Sequence, residues 1–342
     1  MSTSPLFGPM RTARLAGALL RGRALPYSIT FILTDRCNFS CTYCNIPNQP
    51  AKEMDTAEFC RAIDELADEG MTRASFSGGE VLLRKDAEVI IGHAKSKGLF
   101  TSLNTNGWLT VERFEALAPL LDMLVISLDG TEDAHDRVCQ KPGSYKRVIE
   151  VLELAQQARI ATATITVLGP WNLDSIDHVL GVAAKHGAWA YFQPAQEDCY
   201  DQNQGLHPAV GSKELNQIAD QLQAAMHAKR PVASSAGYLK RLRKGPDFSD
   251  CSSCAAGRYF ATVLPDGLVV PCHLKAEAGD YHKGAEVGFA RAFYEMPHPQ
   301  SGSGCAISPY QESDLIFSLD PRAITSAFRK LRPSNPSGID AT

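Results

Sequence analysis

Three cysteines within eight residues, Cys37, Cys41 and Cys44, constrain this 342-residue chain more than any other feature. They directly follow an apolar, β-rich run at residues 29–33, so a predicted strand ends in a loop of three thiols. Three thiolates can each bind one iron of a cuboidal four-iron cluster, which leaves the fourth iron without a protein ligand. An open coordination position is typical of a reactive metal centre rather than a structural one.

This stretch resembles the opening motif of the radical SAM superfamily, because it shares the cysteine spacing, Asn38 after the first cysteine and Tyr43 before the third. The resemblance implies a 4Fe-4S cluster whose open iron binds S-adenosylmethionine (SAM) and cleaves it to methionine and a 5′-deoxyadenosyl radical. It also implies that Tyr43 contacts adenine. A partial zinc site is the alternative, but no cysteine or histidine lies between Asn45 and Cys60 to complete it.

Composition limits the possible classes of protein. Its 44% apolar and 21% charged residues are ordinary for a globular protein, and a net charge of −4 argues against bulk nucleic-acid binding. No apolar run approaches the roughly 20 residues that cross a bilayer. Ten cysteines, clustered and without a signal peptide, favour iron–sulfur ligation over disulfides and a cytoplasmic location.

Short β-rich runs alternate with amphipathic helical stretches from residue 27 to about 194, which predicts an α/β fold with a parallel sheet. Six units fit a partial (β/α)6 TIM-like barrel over residues 26–230, as the resemblance also implies, and a doubly wound sheet is the competing architecture. The predicted strands are residues 28–33, 73–76, 100–103, 122–127, 162–167 and 188–192. The predicted helices between them are residues 56–69, 85–97, 111–120, 144–157 and 173–185.

Polar and glycine residues follow several of these strands, at the edge of a parallel sheet where ligands bind. The candidates are Gly78, Gly79, Glu80, Asn104, Ser127 and Asp129. The resemblance implies that the Gly-Gly-Glu backbone and carboxylate hold the methionine ammonium, and that Ser127 and Asp129 bind the ribose or carboxylate of SAM. We expect Asn104 to line the cleft. Ordinary turn chemistry is the alternative for each of them.

A second group of cysteines lies near the other end of the chain. Cys251 and Cys254 precede two apolar runs around the turn at residues 265–267, which predicts a β-hairpin that brings Cys272 back towards them. Cys305 is a candidate fourth ligand.

Residues 231–310 resemble the SPASM/twitch extension of radical SAM enzymes, which carries an auxiliary 4Fe-4S cluster. Twelve residues between Cys254 and Gly267, and four between Gly267 and Cys272, match its opening. The later cysteine-rich run of a full SPASM domain is missing, so one auxiliary cluster is expected, and zinc is the alternative. If Cys305 does not ligate, the open iron could bind substrate. His273 could ligate or be exposed.

The other segments carry weaker expectations. The N-terminal segment 1–25 predicts a basic helix that could touch a membrane surface, although we favour packing on the barrel. Cys60 is expected in the core. Cys139 and Cys199 are expected in loops near the barrel mouth, and we interpret them as incidental thiols rather than radical relays. Further predictions are a solvated loop at 196–205, a helix at 212–229, and a C-terminal part, 311–342, with a short strand and helix at 313–331 and a disordered tail.

The resemblance implies an enzyme that abstracts hydrogen from a small molecule, a lipid intermediate or a peptide, with flavodoxin or ferredoxin as electron donor. Because only about 25 residues precede the first strand, we favour a small molecule or lipid over a ribosomal peptide. A non-catalytic iron–sulfur or zinc protein, for electron transfer or scaffolding, is the alternative. The Gly-Gly-Glu motif argues against it, since an electron carrier needs no acceptor for the SAM ammonium.

Overall fold

A computed structural model describes residues 9–44, 46, 52–195, 210–245, 254–273, 279–299 and 305–330. Cys199 and Cys251 lie outside the described residues, as do the predicted loop at 196–205 and the predicted tail at 333–342.

One eight-stranded sheet organises the molecule, in the order β6-β5-β4-β3-β2-β1-β7-β8. Its first six strands are parallel, and each pairs with the next along the chain. A doubly wound sheet would reverse its strand order at a switch point, so this order confirms the barrel type of α/β fold. The strands are β1 (Ser28–Ile32), β2 (Arg73–Ser77), β3 (Phe100–Thr105), β4 (Met123–Ser127), β5 (Ala161–Leu168), β6 (Trp189–Pro194), β7 (Phe260–Val263) and β8 (Val269–Val270).

The predicted hairpin forms, with β7 and β8 antiparallel, but it is not a separate sheet. Strand β7 pairs in parallel with β1, and Ser28 stands opposite Phe260. The segment that carries the second cysteine group is therefore continuous with the barrel at β1, the strand that leads into the first cysteine group.

Helices alternate with the strands along the chain, and most of them lie where they were predicted. The helix α2 begins with a capping box, in which Asp55 accepts from the Glu58 amide at 2.8 Å and Glu58 accepts from the Asp55 amide at 3.0 Å. Its face with Phe59, Ile63 and Leu66 is fully buried in the core. These helices are α1 (Pro9–Arg21), α2 (Thr56–Asp68), α3 (Ala87–Ser96), α4 (Thr110–Leu117), α5 (Glu132–Cys139), α6 (Ser144–Gln157) and α7 (Ile176–Lys185).

The remaining helices pack beside the barrel and the hairpin. They are α8 (Ser212–His227), α9 (Ala236–Leu242), α10 (Gly284–Val287), α11 (Phe289–Tyr294), α12 (Ser308–Phe317) and α13 (Pro321–Lys330). The prediction of a short strand within residues 313–331 is wrong, because α12 and α13 are both helical. A short apolar run such as residues 315–317 suits either a strand or a buried helix turn, and periodicity cannot distinguish them.

Helix α5 was not predicted, since its sequence is polar and its apolar positions are few. Thr131 caps it, with its hydroxyl accepting from the Ala134 amide. Cys139, expected in a loop, is instead its last residue and is buried. Cys60 lies on α2 as expected but is only half-buried.

The N-terminal helix α1 packs on the body of the protein. Arg11 Nη1 donates to the Gly98 carbonyl at 2.8 Å, and Ala18 packs in a small apolar cluster with Tyr259 and Phe260. No described helix combines the length and the apolar character that crossing a lipid bilayer requires.

Candidate active site

The first cysteine loop is held against helix α5. The Thr42 amide donates to the Val138 carbonyl at 2.9 Å, and the Cys44 amide donates to the Cys41 carbonyl at 3.0 Å. Burial raises the pKa of the Cys37 thiol to about 11, and that of Cys44 to about 12. Partly buried thiols that hold their protons at neutral pH ionise when a bound metal supplies the compensating charge. Three thiols in one loop fit an iron–sulfur cluster.

The glycine pair after β2 lies directly on the segment that precedes Cys37. The Gly79 amide donates to the Thr34 carbonyl at 2.9 Å, and the Glu80 amide donates to the Arg36 carbonyl at 2.8 Å. A Cβ atom on Gly79 would lie 2.3 Å from the Arg36 oxygen, and one on Gly78 would lie 2.3 Å from the Thr34 oxygen. Only glycine allows two backbones to approach this closely.

Glu80 is fully buried, and its carboxylate ties the end of β2 to the end of β3. It accepts hydrogen bonds from the Thr105 hydroxyl at 3.0 Å and from the amides of Asn106 at 2.9 Å and Leu82 at 3.1 Å. Burial raises the pKa of Glu80, while these hydrogen bonds oppose the rise. The contact between this carboxylate and the methionine ammonium stays a prediction.

The polar residues at the end of β3 divide between two roles. Asn104 donates to the Ser75 hydroxyl and the Phe76 carbonyl, both at 3.1 Å, so it braces β3 against β2. Asn106, which the sequence analysis did not single out, donates to Asn38 at 2.8 Å and lies 3.9 Å from Cys37 Sγ. Its place in the same strand-end loop is the sequence feature that could have identified it.

Tyr43 and Asp129 join the cysteine loop to the end of β4. The Tyr43 hydroxyl donates to Asp129 Oδ2 at 3.0 Å, and the Val167 amide donates to Asp129 Oδ1 at 2.9 Å. Burial raises the pKa of Asp129 to about 6. The ring of Tyr43 stacks on Trp171, with centroids 6.2 Å apart, and sequence reasoning missed this tryptophan. Ser127 lies half-buried at the end of β4.

Asp129, His135 and Cys139 form a buried cluster in which one atom of each lies within 4.8 Å of the others. The geometry does not suit a metal ion, because His135 Nδ1 accepts the Asp129 amide at 3.0 Å, which leaves the proton of a neutral ring on Nε2 and no free lone pair on either nitrogen. Burial lowers the pKa of His135 to about 4, so the ring is neutral. A hydrogen bond with Cys41 raises the pKa of Cys139, which places Cys139 beside a proposed cluster ligand.

In the second cysteine group, Cys254 precedes the hairpin and the buried Cys272 follows it. Burial raises the pKa of Cys254 to about 11, and the nearby Asp314 and Cys272 add to the effect. Cys305 lies three residues before α12. His273 is half-buried rather than exposed, and its Nδ1 is 2.8 Å from the Tyr310 hydroxyl.

Comparison with known proteins agrees with this geometry. Residues 31–183 match the model of the radical SAM superfamily. Residues 31–183 form a radical SAM domain, and the chain is an enzyme. Enzymes of this superfamily use SAM and a 4Fe-4S cluster, so the prediction of these two cofactors is confirmed, and the non-catalytic alternative is set aside.

Two curated relatives of this radical SAM enzyme are PqqA peptide cyclases. That of Ruegeria pomeroyi is 29% identical over 262 residues, which cover 72% of this chain and 68% of the relative. That of Rhizobium meliloti is 28% identical over 289 residues, which cover 78% of this chain and 71% of the relative.

Two similar solved structures establish the shared fold. Streptococcus suis SuiB bound to SAM has a TM-score of 0.66 at 15% identity, covering 84% of this chain and 70% of SuiB. The SAM-bound structure of anSMEcpe has a TM-score of 0.59 at 14% identity, covering 89% of this chain and 99% of anSMEcpe.

Proposed function

We propose that this radical SAM enzyme abstracts a hydrogen atom from a peptide and carries one auxiliary iron–sulfur cluster. The observation that supports a peptide substrate is the similarity to two proteins named PqqA peptide cyclases. Each alignment covers more than two thirds of both chains. This similarity outweighs our sequence-based preference for a small molecule or lipid intermediate, which rested only on the length of chain before β1.

The three cysteines of the first loop, Cys37, Cys41 and Cys44, would hold the SAM-binding cluster. When bound, the cluster supplies one electron for the cleavage of SAM to the 5′-deoxyadenosyl radical. The protein contributes position and exclusion of water. Support comes from the close approach of the glycine pair to the segment that precedes Cys37, which fixes the backbone leading into the cysteine loop.

Tyr43 and Asp129 would form the wall on which the nucleoside part of SAM rests. The hydrogen bond between them fixes the tyrosine ring, and Trp171 stacks on the ring. A rigid aromatic wall orients the ligand at low entropic cost. Ser127 and Asn104 would line the cleft beside it, at the ends of β4 and β3.

The second cysteine group would hold the auxiliary 4Fe-4S cluster, with Cys251, Cys254, Cys272 and Cys305 as ligands. An auxiliary cluster close to the substrate would take up the electron that the substrate radical releases when a new bond forms. Zinc remains the alternative for this site. A flavodoxin or ferredoxin would reduce the first cluster, and a cytoplasmic location would suit both the clusters and such a donor.

The decisive experiment measures the transfer of deuterium from the substrate to 5′-deoxyadenosine. The anaerobically reconstituted enzyme receives SAM, dithionite and either a uniformly deuterated peptide pool or a deuterated small-metabolite pool. We expect deuterium in the 5′-deoxyadenosine formed with the peptide pool, and no 5′-deoxyadenosine from a Cys37/Cys41/Cys44→Ala variant. Deuterium transfer only from the metabolite pool would contradict a peptide substrate. Iron content of about eight atoms per chain, falling to about four in the variant, would support two clusters.

A further inference from the structure

Helix α12 contacts the backbone beside two cysteines of the second group. Asp314 Oδ1 accepts a hydrogen bond from the Ala255 amide, the residue after Cys254, at 2.9 Å. Gln311 Nε2 donates to the carbonyl of Cys305 itself at 2.6 Å. Gln311 and Asp314 are three positions apart, so they share one face of the helix. A single helical face therefore holds two cysteine-bearing segments that are far apart in the sequence.

Arg241 on helix α9 donates hydrogen bonds to both of these side chains. Its guanidinium donates to Gln311 Oε1 and to Asp314 Oδ2, the latter at 2.8 Å. Because Gln311 Oε1 accepts from Arg241, its Nε2 group must face the Cys305 carbonyl. Gln311 and Asp314 are each 2% exposed, and the Arg241 side chain is 17% exposed. Water therefore competes little for these hydrogen bonds.

We propose that Asp314, Gln311 and Arg241 are positioning residues of the auxiliary metal site, and that Cys305 is one of its ligands. The inference rests on the proposed function, which assigns a metal to the second cysteine group. Groups that orient metal ligands from behind commonly change metal affinity by about 10- to 100-fold when they are removed. Here the oriented elements are the backbone segments of Cys254 and Cys305, which set where their thiols point.

The chain offers a matched control on the same helix. Glu312 is also buried, and it accepts a hydrogen bond from the Ser235 amide at 2.6 Å. Replacing Glu312 or Asp314 by leucine thus removes a buried carboxylate that accepts from a backbone amide. Only Asp314 binds a residue beside a cysteine, so the two variants separate metal positioning from a general effect on stability.

Gln311→Glu separates the two roles in another way. The glutamate keeps an acceptor for Arg241 and makes the pair charged, but it replaces the donor to Cys305 by an oxygen that repels the carbonyl. If Gln311 only joins helices α9 and α12, this variant keeps its metal. If it positions Cys305, the metal site loosens.

The test is made in a Cys37/Cys41/Cys44→Ala background, where the auxiliary site alone binds metal. Iron and sulfide per chain, the electron paramagnetic resonance spectrum of the reduced protein, and the rate of iron loss to a chelator are measured after anaerobic reconstitution. We expect about four irons in the background. Iron loss should be about tenfold faster in Asp314→Leu and Gln311→Glu, with an altered spectrum. Glu312→Leu should lower the unfolding temperature but keep the background rate and spectrum.

Three results would overturn the inference: unchanged iron loss in both Asp314→Leu and Gln311→Glu, equal acceleration in Glu312→Leu, or a background protein that binds no metal. If Asp314→Leu fails to fold, Gln311→Glu decides alone. A background that binds zinc instead of iron and sulfide would refute the auxiliary iron–sulfur cluster of the proposed function. The positioning role would then be measured as the rate of zinc loss to the chelator. We expect the variants to lose zinc in the same order as they would lose iron.

Discussion

The carbonyl oxygen of Arg36 lies 2.8 Å from the amide nitrogen of Glu80, so the residue before the first cysteine is bonded to the residue after the glycine pair. This bond, with its neighbour between Gly79 and Thr34, joins the end of β1 to the end of β2 at the candidate active site. The cysteine loop and the Gly-Gly-Glu motif therefore act as one backbone unit, and changes in either should affect both.

Gly79→Ala should disrupt this unit. The new Cβ atom would lie 2.3 Å from the Arg36 oxygen, and backbone atoms cannot yield as a flexible side chain does. We expect about 3 kcal/mol of destabilisation and loss of the SAM-binding cluster, measured by urea unfolding and by iron content.

Gly181→Ala is the matched control, because Gly181 lies on helix α7 and nothing approaches its Cβ position within 4 Å. Alanine there should stabilise the protein by up to about 1 kcal/mol and leave iron content unchanged. Equal loss of iron in both variants would contradict the close-contact explanation.

Glu80→Ala should destabilise the apoprotein by about 3 kcal/mol, since it leaves the Thr105 hydroxyl and two backbone amides without their buried acceptor. Glu80→Gln should cost less, because an amide oxygen still accepts. Urea unfolding and SAM binding are measured together. If SAM binding weakens with no change in the free energy of unfolding, the carboxylate contacts the ligand directly, as the family resemblance implies.

Tyr43→Phe removes the hydroxyl that donates to Asp129 at 3.0 Å and leaves a buried carboxylate oxygen short of one donor. We expect about 1–3 kcal/mol of lost stability and weaker SAM binding, measured by calorimetry on the reconstituted enzyme. Tyr145→Phe, which removes a hydrogen bond of 2.9 Å to His178, is the control and should leave SAM affinity unchanged. If Tyr43→Phe binds SAM as tightly as the wild-type enzyme, Tyr43 does not form part of the SAM-binding wall.

Cys139→Ala tests whether the buried Asp129–His135–Cys139 cluster binds a metal. Because His135 Nδ1 already accepts a hydrogen bond and Nε2 of the neutral ring carries the proton, the histidine has no free lone pair for a metal, and we expect unchanged metal content and a cost of about 1 kcal/mol. The check is elemental analysis of the reconstituted protein beside its unfolding free energy. Loss of one metal ion per chain would show that the cluster is a metal site after all.

Asp320 caps helix α13 by accepting from the Arg322 amide at 2.8 Å. A hydrogen bond with the Arg322 side chain lowers the pKa of Asp320 to about 2. Asp320→Ala should cost about 1 kcal/mol. Because the folded-state pKa lies below the unfolded value of about 3.9, this contribution is complete above about pH 4 and is lost only as pH falls towards 2. The difference in urea-unfolding free energy between wild-type and variant apoprotein should therefore be constant from pH 5 to pH 7. A difference that shrinks within that range would contradict the lowered pKa.

Much of the barrel could be predicted from local sequence. The helix at residues 144–157 and the start of β1 at Ser28 were predicted at the observed residues, since apolar periodicity and caps act within a few positions. Helix α5 was missed because its few apolar side chains give little periodicity, and its stability comes from a cap and from contacts with the cysteine loop.

The superfamily motif, the alternation of strands and helices, and the residue types at the strand ends could all be recognised from local sequence. Tertiary structure decided that the hairpin extends the barrel at β1, that Asn106 reaches Cys37, and that Gln311 and Asp314 face the second cysteine group. The division has a physical reason. A motif and the apolar periodicity of a helix depend on residues that are neighbours along the chain. The acceptor of a buried hydrogen-bond donor is determined only after distant segments have packed together.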